Sequence, residues 1–137
     1  MITVRKVPID GPEYETLKGK EFFGVRGFGE TADGVCHMGD VNLYIAESGE
    51  IYGFALISLA TRDAVSILNL GVNADFGEED IRKALLDFIL EDLKPKAIVG
   101  EVTEEEVAFY ESYGFYTTEI GESLPGQTSY YATYRYR

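Results

Sequence analysis

The sequence predicts an α+β domain with a mixed, mostly antiparallel central sheet and flanking helices. Three observations carry that expectation. Residues 41–60 form two apolar runs about a short polar turn, the pattern of a hairpin. Two later segments space their apolar residues as helices do and carry helix start or stop signals. Strand-like runs stand before, between and after them, so the order reads β, α, β, β, β, α, β, α, β, β. The 137 residues suffice for one core and are too few for two, so one domain over residues 1–137 is expected.

Taken in order, MITVRKV alternates well enough for a first strand. Asp10 and Pro12 then mark the start of a short helix, since proline presets φ at a first helical position and lacks only an N–H that would go unused. GFGETADGVCHMGD carries four glycines and little periodicity and reads as a loop. VNLYIA and IYGFALISLA flank ESGE, with Gly49 supplying the turn, and after TRD the run AVSILNLGV is a third antiparallel strand.

From Glu78 to Leu93, Ile81, Leu85, Phe88 and Ile89 recur at helical spacing. Leu86, Leu90 and Leu93 widen that face to one that suits a sheet. Pro95 breaks the chain before the strand AIVGEV. A further helix follows, with Thr103 and Glu106 as a capping box and Gly114–Phe115 as its C-terminal cap. FYTTEI reads as a strand, GESLPGQ as a loop, and TSYYATYRYR as a closing strand with Tyr130, Ala132, Tyr134 and Tyr136 on one face. An edge strand of that kind could also pair with a second copy to form a homodimer.

Asp and Glu outnumber Lys and Arg by 24 to 12, a formal charge of −12. That balance argues against nucleic acid and anionic membrane surfaces, both of which need cations to displace counterions. It suits cationic substrates such as amines. A single cysteine, Cys36, excludes an internal disulfide and a cysteine-based zinc site. Cys36 and the single histidine, His37, are neighbours in the glycine-rich loop and do not face each other as a dyad would. GFGE at residues 27–30 has no strand-to-helix context for a phosphate loop. With no basic-plus-apolar leader and no run of 18 apolar residues, a cytoplasmic soluble protein is the expectation.

The element order, the run LNLGVNADF leading into IRKALLDFIL, and VAFYESYGF together resemble the GCN5-related N-acetyltransferase (GNAT) family. The first two segments are similar to that family's fourth strand and third helix. VAFYESYGF resembles its fourth-helix signature, in which an apolar residue and a tyrosine precede Gly–Phe. The resemblance spans residues 41–137 and, more loosely, the first forty. It implies transfer of an acetyl group from acetyl-CoA to a small-molecule amine or a protein amino group, by direct attack on the thioester.

For the site, the resemblance implies two strands, here 64–72 and 97–102, that splay apart around the thioester. The pantetheine arm would run along the backbone of Leu70 and Val72 like an added strand. Phe109 would line the same gap, and Tyr110 would face the sulfur as general acid, handing a proton to the departing thiolate. Packing of Tyr110 on the sheet beside Phe109 is the structural alternative. Glu101, at the end of the strand 97–102, is a candidate base. Glu47 and Asp40 are further candidates, and each of the three also reads as a solvated charge.

The family's diphosphate turn begins with Gln or Arg, passes two variable residues to a Gly, and has Gly or Ala two positions later. Those positions fall here on Gly77, Asp80 and Arg82, and none matches. Small residues let backbone N–H groups approach a diphosphate. Glu78, Glu79 and Asp80 instead suit the positive end of a helix dipole. Binding survives if Arg82 and Lys83 fold back onto the phosphates, or if the carboxylates turn outward. Two functions therefore stay open: an acetyltransferase with an unusual acetyl-CoA turn, and a GNAT-like binding or regulatory protein that has lost acetyl-CoA. A plain α+β ligand-binding domain with an accidental likeness is a third.

Overall fold

The computed structural model describes residues 2–9, 11–18, 40–59, 64–73, 77–124 and 126–135. Asp10, residues 27–30, Cys36, His37 and Tyr136 lie outside the described residues. The elements are β1 (Thr3–Val7), α1 (Pro12–Lys18), β2 (Val41–Glu47), β3 (Ile51–Ser58), β4 (Ala64–Val72), α2 (Glu78–Leu93), β5 (Ala97–Thr103), α3 (Val107–Tyr113), β6 (Tyr116–Leu124) and β7 (Gln127–Arg135). Their order is the expected one. They build a mixed seven-stranded sheet, β1-β2-β3-β4-β5-β7-β6, with flanking helices: an α+β fold. Only the central pair, β4 and β5, runs parallel; every other pairing is antiparallel.

Helix α2 begins and ends where the periodicity predicts. Ile81, Leu85, Leu86 and Ile89 are wholly buried against the sheet, in one cluster with Tyr44, Ala55, Val72, Ile98 and Val102. The helix stops at Lys94, whose left-handed backbone (φ 46°) lets its N–H reach the Leu90 carbonyl at 2.9 Å. Pro95 follows and cannot extend the helix. On the opposite face α1 contributes Tyr14 and Leu17 to a second cluster with Leu43, Ile45, Phe54 and Leu56. Strand alternation explains the division, because neighbouring residues of β2 and β3 point to opposite faces.

Two expectations about the C-terminal third are corrected. GESLPGQ is mostly strand rather than loop: β6 runs on to Leu124 and β7 starts at Gln127, with Gly126 at φ 80° in the turn. Register shifts between Glu119 and Gly121 and between Glu122 and Leu124 let the ladder absorb these turn-forming residues. The closing strand is also no edge. β7 lies between β5 and β6, so the edge belongs to β6, because the chain passes outward before its last hairpin returns it to β5.

The contact between α2 and the sheet is tight at Gly53. A methyl placed there would lie 2.6 Å from Ile81 Cγ2 and 3.1 Å from the Gly71 carbonyl oxygen. Gly53→Ala is expected to destabilise the fold by about 1–3 kcal/mol, as overpacking does. Urea unfolding measures this, and an unchanged midpoint would contradict the packing described.

Candidate functional site

The parallel ladder between β4 and β5 runs only from Ala64–Ala97 to Ile67–Gly100. β4 continues to Val72 and β5 to Thr103 without pairing to each other. The cause of the parting is local. Leu56 of β3 faces Asn69 while Ile57 faces Ile67, so Leu68 is an extra residue in β4. Such a bulge bends its strand and increases the twist. At the last rung the strands are close, since a methyl on Gly100 would sit 3.2 Å from Ile67 Cβ.

Past the bulge, backbone polarity alternates along β4. The Asn73 N–H donates to the Tyr52 carbonyl at 2.7 Å, so the odd positions 69, 71 and 73 turn toward β3. The N–H and C=O groups of Leu70 and Val72 therefore turn toward the gap, where they have no strand partner among the described residues. Both residues are buried.

The other wall comes from the segment after β5. Thr103 and Glu106 form the expected capping box, but it opens a single 3₁₀ turn, Glu104–Glu106, ahead of α3. Glu106 Oε1 accepts from both the N–H and the Oγ1 of Thr103, each at 3.0 Å. Helix α3 ends as expected at Gly114, with the Phe115 N–H bonded to the Tyr110 carbonyl at 2.9 Å. That closure is a Schellman cap and sets Phe115 under the helix. Tyr110 is then gripped edge-on by Phe109 and Phe115, with ring centroids at 5.3 and 5.0 Å.

Tyr110 is only 1% exposed, and its hydroxyl makes no hydrogen bond among the described residues. Burial pushes the phenol well above its ordinary range, the Glu106 carboxylate adds to that rise, and the Arg82 guanidinium opposes it. The hydroxyl thus holds its proton across the neutral range. Phe109 is likewise buried, beside Tyr110 and under the Arg82 guanidinium, whose carbon lies 5.7 Å from the ring centroid.

Arg82 extends from the first turns of α2 into the interior, where it is 3% exposed, and its Nη2 lies 3.5 Å from Glu106 Oε2. Glu106 thus joins the start of α2 to the start of α3 through one carboxylate. Sequence reasoning placed Glu106 in the cap alone. Its separation of 24 residues from Arg82 leaves no local signal of the ion pair. Lys83 stays on the surface, 3.7 Å from Asp87 one turn along.

The start of α2 is acidic as predicted. Gly77 is its N-cap with φ 74°, and a carbon built on Gly77 would lie 3.7 Å from Asp80 Oδ2. The Asp80 carboxylate therefore lies close to the turn without a cap hydrogen bond, and both Asp80 and Glu79 are exposed. A diphosphate at this turn would meet like charges costing about 1 kcal/mol each even in water. The helix dipole returns only about 0.3–1 kcal/mol.

Glu101 is the first residue of β5 beyond the last rung. It is exposed and projects from the face opposite Val102, which packs in the same cluster as Tyr110. Glu101 and Tyr110 thus belong to opposite faces of the parted strands. Asp40 is exposed, and Glu47 is held by Arg5, which also reaches Glu13 at 3.2 Å. No group of three metal-binding side chains occurs among the described residues, and none of their helices is long and apolar enough to cross a membrane.

The chain has the fold of the GNAT acetyltransferases. It is similar over 99% of its length to the ribosomal-protein-S18-alanine N-acetyltransferase from Escherichia coli, covering 94% of that chain at a TM-score of 0.75 and 17% identity. A GNAT family acetyltransferase from Elizabethkingia anophelis with acetyl-CoA bound matches over 98% of this chain and 97% of its own, at 0.70 and 19%. The IAA acetyltransferase from Bacillus cereus covers 98% and 99%, at 0.71 and 16%. No family model and no curated protein sequence matches the chain. At these identities the likeness is one of fold.

An acetyl-CoA such as the Elizabethkingia structure holds would fit part of this site and not all of it. The backbone of Leu70 and Val72, with no strand partner among the described residues, and the buried Tyr110 are compatible with a pantetheine arm and thioester. The turn at Gly77–Asp80 does not suit a diphosphate, because the exposed carboxylates of Glu79 and Asp80 stand beside it.

Two measurements check the electrostatics. Arg82→Ala is expected to cost about 3–5 kcal/mol in urea unfolding, since it strands a buried carboxylate. Arg82→Met with Glu106→Leu should cost clearly less than the sum of the single changes. For Tyr110, both folded and unfolded states hold the proton below about pH 10. Above it the unfolded chain loses its proton first, so stability falls as pH rises, and Tyr110→Phe should make that alkaline decline shallower. An unaltered slope would contradict the burial of the phenol.

Proposed function

We propose that the chain is an N-acetyltransferase that moves an acetyl group from an acetyl-thioester donor, acetyl-CoA in the family default, to an amine. The observation that carries this reading is the gap itself. β4 parts from β5 with the polar backbone of Leu70 and Val72 turned into the opening, and Tyr110 stands buried in the same core with its hydroxyl unbonded among the described residues. The donor supplies an activated acyl carbon and a thiol leaving group. Leu70 and Val72 hold its arm as a strand would, and Phe109 walls it off from water.

Tyr110 keeps a proton at Oη for a departing thiolate. Glu101, on the other face, is suited to receive the proton of an incoming amine, so acid and base act from opposite sides. The formal charge of −12 favours a cationic acceptor, whether a small amine or a protein amino group. The soluble, cytoplasmic setting and the homodimer expected from sequence remain part of the proposal, with β6 now the pairing edge.

A second reading is favoured by one specific observation. The carboxylates of Glu79 and Asp80 at the first turn of α2 leave that turn ill-suited to a diphosphate. A GNAT-fold binding or regulatory protein that no longer takes acetyl-CoA has the same features.

Calorimetry with acetyl-CoA and with CoA at low salt separates the two. Binding, with Tyr110→Phe lowering turnover at least about tenfold while affinity stays within about twofold, is the expected result. No heat at millimolar donor selects the second reading. An unchanged rate in Tyr110→Phe removes the acid role.

A further inference from the structure

The two ends of the candidate site differ in chemistry. Along β4, Leu70 and Val72 turn neutral hydrogen-bonding groups toward β5, in the same core cluster as buried Val102, Phe109 and Tyr110. An uncharged, amide-containing chain answers that lining, since its own N–H and C=O groups complete the unpaired edge. At the start of α2 the chemistry reverses. Asp80 and Glu79 are both exposed there, with Asp80 Oδ2 3.7 Å from a carbon built on Gly77, and the two cations nearest in sequence are turned to other carboxylates, Arg82 to Glu106 and Lys83 to Asp87. The positive end of the helix thus carries the chain's own acids beside it, and Arg82 is buried against Glu106.

We propose that the donor is recognised at its acyl-pantetheine end alone, so that any diphosphate it carries lies in solvent without contributing to affinity. The ligand class this site takes is the uncharged acyl-pantetheine thioester. The inference rests on the acyl-transfer reading above and adds donor specificity to it. Arg82 and Glu106 act as specificity residues: together they occupy the junction of α2 and α3 and withhold the guanidinium from an anionic ligand.

The test compares S-acetyl-pantetheine with acetyl-CoA on the whole chain, by calorimetry at low and at high salt. Dissociation constants within about threefold of one another are expected, with no weakening of acetyl-CoA as salt rises. Acetyl-CoA binding at least about thirtyfold tighter, with affinity falling as salt rises, overturns the proposal and leaves the acyl-transfer reading standing. If neither thioester binds, both fall.

Asp80→Asn provides a second arm at an exposed position. It should leave acetyl-CoA and S-acetyl-pantetheine each within about twofold of their affinities for the unaltered chain. A several-fold change for acetyl-CoA alone would place its diphosphate against the turn and overturn the proposal.

Discussion

Four rungs of parallel pairing hold β4 to β5, and the candidate site depends on the ladder ending at Ile67–Gly100. Everything around the gap follows from that stop. The bulge at Leu68 bends β4 away, the β5 chain leaves the sheet into the capped start of α3, and the cap in turn sets Tyr110 between two aromatic rings. A buried backbone group with no partner costs about 1–3 kcal/mol. An interior strand that turns polar groups into an opening therefore marks a place where water or a ligand completes the bonding.

The gap and its mouth answer to different forces. Inside, Leu70 and Val72 turn backbone polar groups toward β5 among apolar side chains, and Arg82 is buried beside Glu106. Outside, at the first turn of α2, carboxylates supply the negative charge that a helix start favours. A helix N-terminus favours negative charge, and here the exposed Glu79 and Asp80 stand beside it without a cap hydrogen bond. The Arg82–Glu106 pair also ties the two helices that flank the opening, a link reinforced at the surface by the Tyr113 hydroxyl donating to Asp87 at 2.7 Å.

Much of this was legible in the sequence, for local reasons. β4 and α2 have the bounds their periodicities predict, and the capping box and Gly114 closure are read from residue types at fixed offsets. What failed to show was non-local. GESLPGQ has the composition of a turn, yet cross-strand pairing to β7 draws most of it into a ladder. Whether the last strand closes the sheet or edges it depends on the direction of a hairpin, which no pattern within the strand records. Arg82 read as a cation that could fold back onto phosphates; its burial reflects a partner 24 residues away. The parting of β4 from β5 was anticipated through family resemblance alone, because a bulge at Leu68 leaves no compositional trace.

The most direct measurement is an amide-resolved NMR titration of the chain with acetyl-thioester donor. The N–H groups of Leu70 and Val72 should shift strongly and slow in hydrogen exchange as the donor completes the unpaired edge. Those of Gly71 and Asn73, already turned to β3, should move little. A titration that leaves Leu70 and Val72 unmoved while perturbing residues elsewhere would contradict the assignment of the gap as the donor site.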